Sequence, residues 1–117
     1  MTDCIFCKIA SGEIPSTKVY EDDRFLAFRD LSPVADMHVL IIPKRHITSV
    51  AVMSPEEEEL GLQGIFSVAR TVAESEGIAQ NGFRLVVNTG HDGGQTVPHF
   101  HLHVIGGKEL GWPPFAD

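Results

Sequence analysis

Long hydrophobic runs are missing from this chain. No stretch approaches the roughly 18 consecutive apolar residues of a membrane span, although 43% of the 117 residues are hydrophobic, an ordinary share for a globular protein. An excess of basic charge is missing too. Nine Lys and Arg against 16 Asp and Glu leave a net charge of −7. A non-specific binder of nucleic acid or of a membrane surface needs a basic face, so neither partner is expected. A single nucleotide, held by a few local donors, is not excluded. The opening Met1-Thr2-Asp3-Cys4 has no basic start followed by an apolar stretch, so no secretory signal is expected and the expected location is cytoplasmic. Internal repeats, linkers and low-complexity tracts are also absent. The length suits one small domain, residues 1–117.

Cysteine is scarce. Cys4 and Cys7 are the two present, and they form Cys-x-x-Cys. Metal ligands, a redox pair and residues without a defined role remain open readings. A redox pair wants a strand before it and a long helix after it. Here the motif stands at the start of the sequence, and Gly12 and Pro15 soon follow. A zinc site would need two further ligands.

Histidine is where the sequence becomes specific. His99-Phe100-His101-Leu102-His103-Val104-Ile105 holds three of the six histidines at a spacing of two. Strand side chains alternate faces, so a strand here places three imidazoles on one side and sends Phe100, Leu102 and Val104 into a core. Imidazole titrates near neutral pH and serves as nucleophile, acid, base or metal ligand. Just upstream runs Asn88-Thr89-Gly90-His91-Asp92-Gly93-Gly94-Gln95-Thr96. Its glycines permit close backbone approach, so successive N–H groups can cradle an anion beside the histidine row. His91, in that loop, is expected to be exposed.

The remaining elements follow from pattern. Residues 4–12 read as a short helical turn, with Gly12 to Pro15 breaking it. Strands are expected at 19–21, 25–29, 39–43, 83–88 and 99–105. Ser54-Pro55-Glu56-Glu57 reads as a capped helix start. One long helix is expected from there to Gly77, with Leu62, Ile65, Phe66, Ala69, Val72 and Ala73 as its core stripe. The glutamate run at its start suits the helix dipole and needs no other role. Strands grouped around one long helix, without βαβ alternation, indicate an α+β fold with a mostly antiparallel sheet.

The histidine row behind Gly93-Gly94-Gln95-Thr96-Val97 resembles the histidine triad (HIT) superfamily of nucleotide hydrolases and transferases. The resemblance extends to Cys4-Ile5-Phe6-Cys7-Lys8-Ile9, to Leu26 through Pro33, to His38 through His46, and to Gly111-Trp112-Pro113-Pro114. The last segment is similar to the Hint branch, whose members hydrolyse purine nucleoside phosphoramidates. The resemblance implies a HIT-like fold with one long helix and a short N-terminal helix. It implies His101 as a nucleophile that attacks the α-phosphate, releases an amine and forms a nucleotidyl-histidine, which water resolves. His103 would serve the phosphate oxygens or proton transfer, and Thr96 would present a hydroxyl near the leaving group. Asn88, Gly94, Thr96 and the Val97 backbone would surround the phosphate, and Asp30 would accept from the ribose hydroxyls. Phe6, Ile9, Ile14, Phe28 and Leu31 match the base pocket, with Arg29 standing where some relatives have histidine. His38 aligns with a histidine near the active site, and Pro98 stands where an aromatic residue is common. In zinc-binding relatives the further ligands map to His46 and His99, completing a structural zinc site with Cys4 and Cys7; no organic cofactor and no magnesium are implied. His99 has the alternative role of supporting the site without metal. The branch also implies a homodimer in which Trp112 helps to shape the partner's leaving-group pocket. A dinucleoside polyphosphate hydrolase and a nucleotide-binding regulatory protein with incidental catalysis are the alternative readings.

Overall fold

A computed structural model describes residues 3–114. The end of the expected irregular tail, residues 115–117, lies outside the described residues. Eight elements follow in order: α1 (Ile5–Ser11), β1 (Lys18–Glu21), β2 (Phe25–Arg29), β3 (Met37–Pro43), α2 (Pro55–Leu62), α3 (Ile65–Ser75), β4 (Phe83–Val86) and β5 (Leu102–Gly106). The strands form one antiparallel sheet in the order β1-β2-β3-β5-β4. The expected α+β architecture is therefore present.

Both faces of the sheet are covered, which explains why β2 and β3 read as almost continuous apolar runs. Phe25, Ala27, Val39, Ile41, Leu102 and Val104 pack with Ile65, Val68, Ala69, Val72 and Ala73 of α3. The alternate residues Leu26, Phe28, Leu40 and Ile42 pack with Phe6 and Ile9 of α1. The period-two alternation thus sorts each strand between two cores. Arg29 follows this sorting. It stands on the α3 side, where its guanidinium grips both carboxylate oxygens of Glu76 at 2.5 and 3.0 Å.

The long helix is bent. Its start is as read: Ser54 Oγ accepts from Glu57 N–H at 3.1 Å, and Glu57 Oε1 accepts from Ser54 N–H at 2.9 Å. After Leu62 the axis breaks, because Gly64 adopts φ +86, a left-handed conformation that glycine enters without a Cβ clash. Arg24 Nη2 donates to the Gln63 carbonyl at 2.7 Å at the break. The bend shifts the helical phase, so Phe66 turns outward at 68% exposure while Val68 joins the core. The expected stripe is corrected accordingly.

The strand boundaries also shift. β4 stops at Val86, not Asn88, and β5 begins at Leu102, not His99. Before β5 the chain bonds elsewhere: His99 N–H donates to Val97 O at 2.8 Å and Phe100 N–H to Ile47 O at 2.6 Å. The alternation nevertheless persists through these residues. Phe100 lies in the α3 core, while the rings of His99 and His101 meet Phe6 on the other side.

Ile41 is fully buried at the centre of the sheet. Ile41→Ala is expected to cost about 2–5 kcal/mol through lost apolar contact and an unfilled cavity. Urea denaturation measures this, and a loss below about 1 kcal/mol would show that this core can collapse around the gap.

Candidate functional site

Three segments meet on the α1 side of the sheet: α1 itself, the stretch from Pro43 to Ser49, and the chain from Asn88 into β5. His101 lies at their junction and is buried. Its Nδ1 lies 2.8 Å from the His99 carbonyl oxygen. A carbonyl can only accept, so Nδ1 carries the proton and Nε2 is left with an in-plane lone pair. Phe6 stands edge-on to the ring, centroids 5.1 Å apart and planes at 88°, which fixes the ring's orientation.

The same reasoning gives the tautomer of His103. Val34 N–H donates to His38 Nδ1 at 3.2 Å, so His38 carries its proton on Nε2. That Nε2 lies 2.8 Å from His103 Nδ1, which must accept, and His103 is therefore protonated at Nε2. Asp30 Oδ2 stands 3.5 Å from His38 Nε2, and Asp30 Oδ1 accepts from Ser32 N–H at 2.7 Å. Two adjacent rings, 5.1 Å apart, thus have opposite character: His101 offers a lone pair and His103 an N–H. Burial lowers the pKa of His103 to about 4, with His101 and His38 adding to the effect and Asp30 opposing it. Burial lowers that of His38 as well, against Asp30.

Next to this pair stands a second cluster. Donor atoms of Cys4, Cys7, His46 and His99 all lie within 4.8 Å of one another. Cys4 Sγ is 3.2 Å from His99 Nδ1, and Cys7 Sγ is 3.2 Å from His46 Nδ1 and 3.5 Å from His99 Nδ1. Tetrahedral zinc, with bonds of about 2.3 Å to sulfur and 2.0 Å to nitrogen, spaces neighbouring sulfur and nitrogen ligands by about 3.5 Å. His99 Nε2 donates to Pro43 O at 2.9 Å, which turns the lone pair of Nδ1 toward the thiols, the usual support for a ligating imidazole. The donor set fits a zinc ion. Burial, then Cys4, raises the Cys7 thiol to about 11; a bound cation would reverse that preference. His99 is lowered to about 4 by burial, against the Pro43 carbonyl, with His46 and His101 adding to the effect.

The glycine loop closes the third side. Asn88 Nδ2 donates to Gly93 O at 2.7 Å, so the amide braces the loop from within. A Cβ at Gly93 would collide with the Thr89 carbonyl oxygen, so this approach requires glycine. Among the described residues, the N–H groups of Thr96 and Val97 have no hydrogen-bond partner. Both lie within five residues of His101 in sequence and are free to donate to an anion. Gln95 organises the loop, a role its position in the motif alone did not disclose. His91 is exposed, as expected.

The expected base-pocket residues divide. Phe6, Ile9 and Phe28 form one buried cluster, with Ile14 and Val97 packed against it. Leu31 stands outside the cluster at 98% exposure because the chain turns outward after Arg29. Arg29 is a correction: it projects from the opposite face of the sheet toward Glu76 and is not part of this pocket. Trp112 is 82% exposed and lies in the irregular segment after β5, which Arg84 holds through the Gly111 carbonyl at 2.5 Å.

The lowered pKa of His103 has a consequence for stability. As pH falls from 6.5 toward 4, the unfolded chain takes up a proton that folded His103 refuses, so stability declines across that window and is regained above it. In urea titrations His103→Asn should decline less steeply than wild type, by up to about 1.4 kcal/mol per pH unit. Equal slopes would show that His103 titrates normally in the folded protein.

Comparison with known proteins places this geometry. A family model described as HIT domain matches residues 11–110. The purine nucleoside phosphoramidase of Escherichia coli (strain K12) is 50% identical over 109 residues, covering 93% of this chain and 91% of that protein. The 14 kDa zinc-binding protein of Brassica juncea is 47% identical over 96% of this chain and 99% of that one. The Arabidopsis thaliana protein named adenylylsulfatase HINT1 is also 47% identical, over 94% of this chain and 75% of that protein. In three dimensions, the crystal structure of a HIT family hydrolase from Legionella pneumophila Philadelphia 1 matches with a TM-score of 0.91 and 49% identity, covering 96% of this chain and 99% of that one. The family match over most of the chain and the likeness in sequence and in fold agree: the chain belongs to the HIT domain family.

Proposed function

We propose that this chain hydrolyses purine nucleoside 5'-phosphoramidates to the nucleoside monophosphate and an amine, through a nucleotide bound covalently to His101. The observation that carries the reading is the hydrogen bond from His101 Nδ1–H to the His99 carbonyl, which leaves Nε2 unprotonated and fixed in orientation. In the first step Nε2 forms a bond to the α-phosphorus and the P–N bond to the amine breaks. The amine leaves with the bonding pair and a proton relayed from water through the Thr96 hydroxyl. In the second step a water oxygen bonds to phosphorus, the P–Nε2 bond breaks, its pair returns to His101, and the water's proton passes to solvent. His103 Nε2–H and the free amides of Thr96 and Val97 meet the charge on the non-bridging oxygens. Asp30 accepts from the ribose, and the Phe6, Ile9 and Phe28 cluster, with Ile14 and Val97, receives the base.

The name and identity of the Escherichia coli relative support the phosphoramidate as substrate. The Arabidopsis relative named adenylylsulfatase supports a second reading, in which the same His101 step expels sulfate from an adenylyl sulfate. The two differ in the first step, in the bond broken and in the proton, which the departing amine needs and sulfate does not. Cys4, Cys7, His46 and His99 would hold zinc, whose contribution is to tie three segments together. A centre with two free thiols suits the reducing cytoplasm. Among the described residues, no helix is long and apolar enough to cross a membrane. A homodimer is supported by the exposed apolar residues Val50, Leu60, Phe66 and Val87, together with the open edge of β4. Trp112 would then complete the partner's leaving-group pocket.

Rapid quenching followed by mass spectrometry tests the central step. With adenosine 5'-phosphoramidate, wild type should show a transient adenylate on His101 and release AMP over many turnovers. His101→Ala should lose the adduct and at least about 1,000-fold in kcat. Turnover without an adduct would overturn the covalent route. Faster turnover of adenylyl sulfate than of the phosphoramidate would select the second reading.

The metal assignment has a separate test. Zinc-supplemented wild type should bind about one zinc per chain by native mass spectrometry. Cys7→Ser should bind almost none and melt at least about 5 °C lower. Full zinc content in Cys7→Ser would place the metal elsewhere.

A further inference from the structure

The geometry points to Gln95 as the positioning residue of the phosphate loop: it sets the Thr96 and Val97 amides that meet the phosphoryl group. This deepens the proposed reading and rests on it for the identity of the anion. The Gln95 side chain uses both ends of its amide. Oε1 accepts from Gly90 N–H at 2.9 Å. Nε2 donates to Thr48 O at 2.8 Å and to Val97 O at 3.0 Å. The two carbonyls at one end and the N–H at the other leave a single orientation of the amide.

Each partner lies on a different part of the site. Gly90 begins the glycine loop, and the Gln95 backbone N–H also donates to Gly90 O at 3.0 Å, so this one residue closes the loop on itself twice. Thr48 lies on the stretch that carries His46, two residues away. Val97 is the residue whose free N–H faces no protein partner, and its carbonyl also accepts from His99 N–H at 2.8 Å. The Gln95 amide therefore fastens the loop to the neighbouring wall at Thr48 O and holds the Val97–Pro98 peptide plane, while the Gln95 backbone N–H holds the Gly94–Gln95 plane; the two held planes bracket the peptide units that carry the Thr96 and Val97 amides. Donors aimed at a developing charge lose most of their effect when displaced by about 1 Å, so a residue that aims them acts on the reaction without touching substrate.

Gln95→Met keeps the length of the side chain and removes all three hydrogen bonds. Adenosine, which lacks a phosphate, should bind it within about twofold of wild type, while the Kd for AMP rises about tenfold and kcat/KM for the phosphoramidate falls about 100-fold. A purely structural role would weaken adenosine and AMP in parallel. Parallel weakening, or kcat/KM within about threefold of wild type, overturns the assignment.

Gln95→Glu provides an independent signature and serves if the methionine variant does not fold. Its carboxylate would face the Thr48 and Val97 carbonyls, and protonation would restore one donor. The ratio of AMP affinity between Gln95→Glu and wild type should therefore rise toward one as pH falls from 7.5 to about 5.5; a flat ratio overturns the assignment. If wild type turns over no phosphoramidate, the proposed reaction fails, and the AMP-to-adenosine comparison still decides the role of Gln95. Wild type that binds AMP no better than adenosine removes both.

Discussion

His99 is the residue on which the site depends. It is fully buried, and three of its atoms serve three structures. Nε2 is bound to Pro43 O at the end of β3, Nδ1 faces the two thiols, and the backbone carbonyl holds His101 Nδ1–H. A rotation of this ring would release a donor atom from the cysteine cluster. A shift of its peptide plane would free the His101 ring to exchange tautomers. Burying an imidazole is costly unless its polar atoms are matched. That cost is met by placing one end of the ring against a strand terminus and the other against side chains from the N-terminal helix.

The sheet supports this arrangement by being two-sided. The α3 face is a conventional aliphatic core, and the other face is roofed by one seven-residue helix. So short a helix has little intrinsic stability. It is held by Phe6 and Ile9 in the second core, by the Cys4 thiol that accepts from Cys7 N–H at 3.3 Å, and by the contacts of both thiols with histidines. The apolar wall beside His101 and the metal-type cluster are thus one construction. Phe6, lying between the two cysteines in sequence, touches His99 and His101 with a single ring.

Much of this was legible in the sequence because it rests on period and cap. The histidine alternation, the capping box at Ser54 and the apolar runs of β2 and β3 each have a local cause. The bend at Gly64 was not legible, because propensity does not tell which of Gly61 and Gly64 breaks the helix: Gly61 stays helical in α2, and the break involves Arg24, distant in sequence, at the Gln63 carbonyl. The start of β5 was missed for a related reason. Side-chain alternation continues through His99 to His101, but the backbone partner there is Ile47 and not a strand. Arg29 was misplaced because the family pattern marks a position and not a direction. Alternation from Phe28, counted along β2, would have sent it to the α3 face. Gln95 carries no signal of its own, since a glutamine in a glycine-rich turn has many uses until its three partners are seen.

The chain of bonds from Val34 through His38 to His103 runs in one direction. A backbone N–H starts it, and a backbone N–H cannot reverse polarity. The far end of the relay is thereby committed to giving a hydrogen and never receiving one. This imposes an electronic filter on whatever lies against His103, separate from any filter of shape. Sulfonates, carboxylates and phosphonates satisfy it. A guanidinium, which presents N–H donors and no acceptor, does not. For the design of inhibitors, the more promising replacements for the phosphoryl group at that position are those bearing bare oxygens.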